Sequence, residues 1–177
     1  IGGNPAERCR SEALFLTEKA SSWVMSMGGA QSERTSGRGT LEKIMAIIAD
    51  NIQRVRERIA AACDSAHRPV QSVTLLVVSK TFAAEAVREA HAAGEHRFGE
   101  NYVQEGVDKI GALADLRASL EWHLIGPLQS NKTRIVAERF DWVQSVDGEK
   151  IARRLSGQRS GNLAPLNVLI QVNVSGE

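Results

Sequence analysis

Hydrophobic and polar positions divide the chain into stretches of different character. From Leu41 onward, Ile44, Ile48, Ile52, Val55, Ile59 and Ala62 recur at three- and four-residue steps, which lines them along one face of a helix. Arg54, Arg56 and Arg58 mostly take the other sides, and Pro69 stops any continuation. Val73–Lys80 (VTLLVVSK) follows, apolar on successive residues with no charge until its last position. That pattern predicts a strand buried on both faces, as in a parallel sheet.

Beyond Lys80 the periodicity switches back and forth. Ala83–Ala93 predicts a helix closed by Gly94 at the C′ position, and His96–Glu100 a short strand. Tyr102–Ile110 returns to helical spacing through Val103, Val107 and Ile110. Glu121–Gly126 predicts the third strand and Ser130–Arg139 a basic helix with Ile135 and Val136 inward. Trp142–Val146 is the fourth strand, Asp147 is placed to cap a helix through Leu155, and Asn167–Val174 is the fifth strand.

Strand alternating with helix implies a parallel sheet with right-handed crossovers, either doubly wound or part of an eight-stranded barrel. The loop after the first strand, Lys80–Ala83, has no glycine, so the dinucleotide fingerprint is absent, and no Walker A sequence occurs. Polar residues near the strand ends (Ser79, Lys80, Glu100, Asn101, His123, Ser145 and Asn173) favour the barrel. The expected fold is therefore α/β, a partial TIM barrel with about five of its eight βα units present and the C-terminal units missing. Residues 41–177 form that domain. Residues 1–40, rich in serine and glycine over Ser21–Thr40, are read as a disordered or non-native N-terminal extension.

Composition narrows the classes. Hydrophobic residues make up 42% and charged residues 24%, ordinary values for a globular domain. A net charge of +1 gives no global field for nucleic acid or an anionic membrane, and the basic helix face reads as solvated. The apolar runs are far shorter than the ~20 residues a membrane span needs. Cys9 and Cys63 are far apart, which suits a reducing cytosol, and the four histidines show no metal-ligand spacing.

The candidate chemistry starts from Lys80. At the carboxyl end of a strand in a βα barrel it stands at the mouth of the site, where burial would lower the proton affinity of its amine. The plainer reading is a lysine whose stem snorkels from the core into water. His123 alternates with Trp122 and Leu124 and is either turned to the barrel interior or a core histidine satisfied by a neighbour. Asn101 either faces a ligand or caps the following helix, and Ser145 and Asn173 reach a ligand only if the pleat turns them inward. Trp122 and Trp142 read as core.

Five segments in order carry a resemblance: VVSKTF at 77–82, FGENYVQE at 98–105, WHLIGPLQSNK at 122–132, VQSVD at 143–147 and LIQVNVSGE at 169–177. They resemble the YggS/PROSC family, the pyridoxal phosphate homeostasis proteins, over about residues 45–177. The resemblance implies a barrel like the N-terminal domain of alanine racemase, with pyridoxal 5′-phosphate (PLP) held as a Schiff base on Lys80. It implies a cytoplasmic, non-enzymatic PLP-binding protein of vitamin B6 homeostasis, monomeric, with PLP-dependent apo-enzymes as partners and neither nucleic acid nor membrane. Asn101, His123, Ser145 and Asn173 are the further cofactor-binding candidates. The family continues through three more strands whose loops hold the phosphate, so the sequence reads as C-terminally truncated. Two alternatives stand beside this reading: a PLP-dependent racemase-like enzyme, and a truncated fragment without function.

Overall fold

A computed structural model describes residues 37–174. The chain divides into two compact units, Ile1–Leu75 and Leu76–Glu177. In the first, helix α1 runs over Gly37–Ser65. Ile52 and Cys63 are buried, Ile48, Val55 and Ile59 are half-buried, and Arg54, Arg56 and Arg58 are exposed. Ala62 is exposed, because the stripe drifts to Cys63 over its last turn. The helix ends before Pro69: His67 takes φ 50°, its N–H reaches the Asp64 carbonyl at 3.0 Å, and Arg68 N–H reaches Cys63 at 3.0 Å. That is a Schellman cap with histidine in the position glycine usually fills. The extension expected over residues 1–40 is corrected at its end, where Gly37–Thr40 already belong to α1; residues 1–36 lie outside the described residues.

The second unit holds five strands, β1 (Val77–Val78), β2 (Arg97–Glu100), β3 (Glu121–Leu124), β4 (Trp142–Val146) and β5 (Asn167–Ile170). Helices α2 (Ala84–Ala92), α3 (Val103–Ala112), α4 (Thr133–Arg139) and α5 (Glu149–Gln158) connect them. Every pairing is parallel and the spatial order is β1-β2-β3-β4-β5. Sequential order with crossovers of one hand keeps the helices on one side of the sheet, whereas a doubly wound sheet reverses its order. The fold is the partial βα barrel that the alternation predicted.

Register fixes the two faces. Phe98 pairs with Trp122, Glu100 with Leu124 and Leu124 with Val143. All five are fully buried on the helix side, where a side chain at Gly106 of α3 would strike Phe140 at 2.5 Å and Glu100 Cβ at 3.4 Å. Gly99, His123 and Trp142 share the opposite face. At the amino ends, Asp141 accepts the Trp122 N–H at 2.8 Å and pairs with Arg117 at 2.7 Å.

Three details depart from the sequence reading. Val73–Lys80 is not a strand buried on both sides: the ladder covers only Val77–Val78, and Val73 and Leu75–Val78 are half-buried. The reason is position, since β1 is an edge with a single strand neighbour. The last strand stops at Ile170, with Val172 70% and Val174 92% exposed, because β5 is the opposite edge. Asp147 is not the cap residue; Gly148 occupies the cap position of α5, with no side-chain cap bond. Gly94 behaves as predicted: with φ 89° it donates to His91 at 2.9 Å and Glu95 donates to Ala90 at 3.0 Å, a second Schellman cap.

Candidate functional site

The carboxyl end of β1 turns sharply. Ser79 N–H still follows the ladder, donating to Gly99 at 3.0 Å, and Phe82 N–H returns to the Ser79 carbonyl at 3.1 Å. Lys80 and Thr81 are thus the two central residues of a four-residue turn. Thr81 has φ 67°, the positive value that the third residue of a type II turn requires and that glycine ordinarily supplies. Holding a β-branched residue there costs about 1–2 kcal/mol, so surrounding contacts must maintain it.

Those contacts come from two buried charges, Glu100 and Lys109, and the half-buried Glu105. Ser79 Oγ donates to Glu100 Oε1 at 2.6 Å, which fixes Ser79 on the helix side. Lys109 Nζ, on α3 and buried, donates to Glu100 Oε1 at 2.8 Å, to Glu105 Oε1 at 2.7 Å and to the Ser79 carbonyl at 2.6 Å. The Thr81 N–H donates to Glu105 Oε1. Complete burial raises the Glu100 carboxyl above its ordinary range despite the bonds from Lys109 and Ser79. For Glu105, burial pushes upward, but the Lys109 and Thr81 hydrogen bonds and the Lys109 charge outweigh it and hold the group below its ordinary range.

Lys80, on the turn after β1, and Asn101, in the bend after β2, lie just past the carboxyl ends of adjacent strands, and both are half-buried. Their neighbours are close: a side chain at Gly126 would meet the Asn101 carbonyl oxygen at 2.2 Å, so only glycine lets the two strand ends pass. Beneath them a side chain at Gly99 would meet Ile125 Cδ1 at 3.1 Å and Leu76 Cδ2 at 3.5 Å.

His123 shares the helix-free face with Gly99, deeper along β3. Its Nε2 lies 2.9 Å from Glu121 Oε1, Gln144 Nε2 lies 3.0 Å from its Nδ1, and its ring stacks on Trp142 at 5.4 Å. Burial holds the imidazole below its ordinary range, against the pull of Glu121. A neutral ring donating from Nε2 and accepting at Nδ1 satisfies both partners. Ser145 alternates with Gln144 to the helix side, and its hydroxyl donates to the Gly126 carbonyl at 2.6 Å. Asn173 sits on the exposed stretch after β5. The structure brings Lys80 and Asn101 to adjacent strand ends and sets His123 deeper, on the helix-free face of β3; Ser145 touches that end through Gly126.

The sequence reading counted Glu100 among the polar strand ends without giving it a role, and it did not single out Glu105 or Lys109. Glu105 and Lys109 stand four apart on α3, a spacing indistinguishable from a solvated helix pair. A glutamate closing β2 was the available signal. A groove of about 660 Å³ lies at the amino ends of the strands, away from Lys80, and Arg97, Arg117 and Arg159 there are engaged by Glu121, Asp141 and backbone carbonyls. Among the described residues, no helix is long and apolar enough to cross a membrane.

Parallel strands in sequential order, joined by helices, make the second unit a partial βα barrel with a lysine on the turn after its first strand. The family described as "Alanine racemase, N-terminal domain" matches residues 46–177, and the chain belongs to that family. The chain is 60% identical over 133 residues to the pyridoxal phosphate homeostasis protein of Pseudomonas aeruginosa, covering 75% of this chain and 57% of that one. It is 56% identical over 131 residues to the protein of the same name from Escherichia coli strain K12, covering 73% and 56%. The chain therefore spans little more than half the length of these relatives. Among solved structures it is similar to PipY of Synechococcus elongatus with PLP bound, at TM-score 0.50 and 48% identity over 59% of this chain and 47% of that one. A protein from Bifidobacterium adolescentis gives TM-score 0.61 and 29% identity over 77% and 63%. The resemblance drawn from the five motifs holds.

Proposed function

We propose that this chain is a PLP-binding protein of intracellular PLP homeostasis, with Lys80 as the anchor and no catalytic turnover of its own. The observation that carries the reading is the turn at the end of β1. It holds a half-buried lysine at the carboxyl end of a parallel sheet, where βα barrels collect their ligands. The names of the relatives and the PLP in PipY support the choice of ligand.

The residues present fit an aldehyde. PLP supplies a carbonyl that condenses with an amine, and Lys80 would hold it there as a Schiff base. Asn101, on the adjacent strand end, would orient the ring by hydrogen bonding. His123, already satisfied by Glu121 and Gln144, would shape the floor of the site as a neutral group. Ser145 would act through the Gly126 carbonyl, and Asn173 from the stretch beyond β5. The protein would work in the cytoplasm as a monomer and pass PLP to apo-enzymes. A racemase reading needs a second acid–base group across the ligand. The one tyrosine of the chain, Tyr102, is 63% exposed before α3, which disfavours it.

The test is borohydride reduction of the full chain with PLP, followed by peptide mapping. The expected product is a pyridoxyl group on Lys80. Label distributed over surface lysines without preference for Lys80 would overturn the anchor, and racemisation of an amino acid above the rate of free PLP would overturn the non-enzyme reading.

A further inference from the structure

We propose that Glu105 and Lys109 are positioning residues for Lys80: they pin the peptide groups on both sides of it and so dictate where its amine points. The proposal rests on Lys80 being the anchor. The carbonyl of Ser79 belongs to the peptide that precedes Lys80, and it receives Lys109 Nζ at 2.6 Å. The N–H of Thr81 belongs to the peptide that follows, and it donates to Glu105. Glu105 and Lys109 are themselves bonded at 2.7 Å, and Lys109 is seated against β2 through Glu100 at 2.8 Å. One helix thus grips both amide planes of a single residue on the neighbouring strand end.

A purely structural role accounts for less of this pattern. The Lys109–Glu100 pair alone ties α3 to β2, and a buried ion cluster is a costly way to do so compared with apolar packing. The two bonds that reach past β2 to the turn add nothing to that joint. They act where the backbone is strained: Thr81 holds φ 67° without being glycine, so local preference does not set the turn. Without the clamp the turn has lower-energy alternatives, each of which sends Lys80 elsewhere.

The experiment uses the full chain with Glu105→Ala, Glu105→Gln and Lys109→Met, and two readouts. One is amide hydrogen exchange at Thr81, with the Trp122 amide in the central strand as the monitor of folding. The other is borohydride trapping with PLP, read as label on Lys80 relative to the exposed Lys150 on α5. Glu105→Ala is expected to speed Thr81 exchange about tenfold or more while Trp122 stays slow, and to lower the Lys80 to Lys150 ratio about tenfold. Glu105→Gln keeps an acceptor for the Thr81 N–H and restores both readouts. Lys109→Met lowers the ratio as Glu105→Ala does.

Unchanged Thr81 exchange in Glu105→Ala overturns the proposal. So does faster exchange with an unchanged labelling ratio. If Trp122 exchange also rises in Glu105→Ala or Lys109→Met, the decision passes to Glu105→Gln, where normal exchange with a lowered labelling ratio would likewise overturn it. Absence of label on Lys80 in the unaltered chain overturns the anchor reading instead, and the exchange comparison then decides the clamp alone.

Discussion

The two faces of the sheet are made from the same strands and do different work. On the helix side, Phe98, Trp122, Leu124 and Val143 are fully buried. On the other side, Gly99, His123, Trp142 and Gln144 lie at the same levels, and the polar groups bond sideways along the sheet rather than to a covering layer. The helix side therefore supplies most of the hydrophobic stabilisation, and the opposite side is free to carry polar groups toward the strand ends. Two tryptophans test this division. Trp122→Ala is expected to cost about 3–5 kcal/mol, the range for emptying a packed aromatic site. Trp142→Ala, which removes a half-buried ring stacked on His123, should cost about 1–2 kcal/mol. Urea denaturation followed by far-UV circular dichroism measures both, and equal losses would abolish the distinction.

The faces also differ in their response to pH. Burial holds His123 below its ordinary range, so between its folded value and the unfolded value of about 6.5 the unfolded chain binds the extra proton. Stability is complete above that window and falls as pH drops through it. Glu100 on the helix side has the opposite sign. Its carboxyl is raised by burial, so its contribution is present below the unfolded value of about 4.3 and is lost as pH rises through the folded one. Replacing His123 by Gln is expected to flatten the fall in urea midpoint as pH drops below about 6.5, leaving the Glu100 slope, which has the opposite sign, intact. A midpoint profile identical to that of the unaltered chain would assign the acid sensitivity to another group.

Periodicity along the sequence carried the fold well because a strand–helix alternation is a local signal. Trp142–Val146 was legible to the residue, as was the Gly94 cap, since glycine after a helical run has few other uses. What periodicity could not supply was lateral position. VTLLVVSK has the composition of a central strand and NVLIQVNV that of a long one, yet both stand at edges of the sheet, and only the pairing order decides that. The site was legible at Lys80, where an apolar run ends on a charge. The clamp beneath it was not, because its members are drawn from β1, β2 and α3 and meet only when α3 folds back over β2. Ser145 illustrates the remaining limit: the phase of the pleat, with Gln144 turned to His123, sends it to the helix side, and that phase cannot be read before the pairing is known.

The smallest effect concerns the turn itself, at the junction of the two faces. Thr81 pays for φ 67° with about 1–2 kcal/mol, and glycine would remove that strain while giving back about 0.5–1 kcal/mol in unfolded-state entropy. Thr81 is exposed, so no packing is lost. Thr81→Gly should therefore raise the urea midpoint by the equivalent of about 0.5 kcal/mol. The matched control is Thr74, exposed upstream of β1 and without positive φ, where the same replacement should lower stability by about 0.5–1 kcal/mol. Opposite signs at the two threonines identify the strained residue. Destabilisation at both would mean that the Thr81 backbone is relaxed in solution, and the clamp from Glu105 would then have no strain to hold.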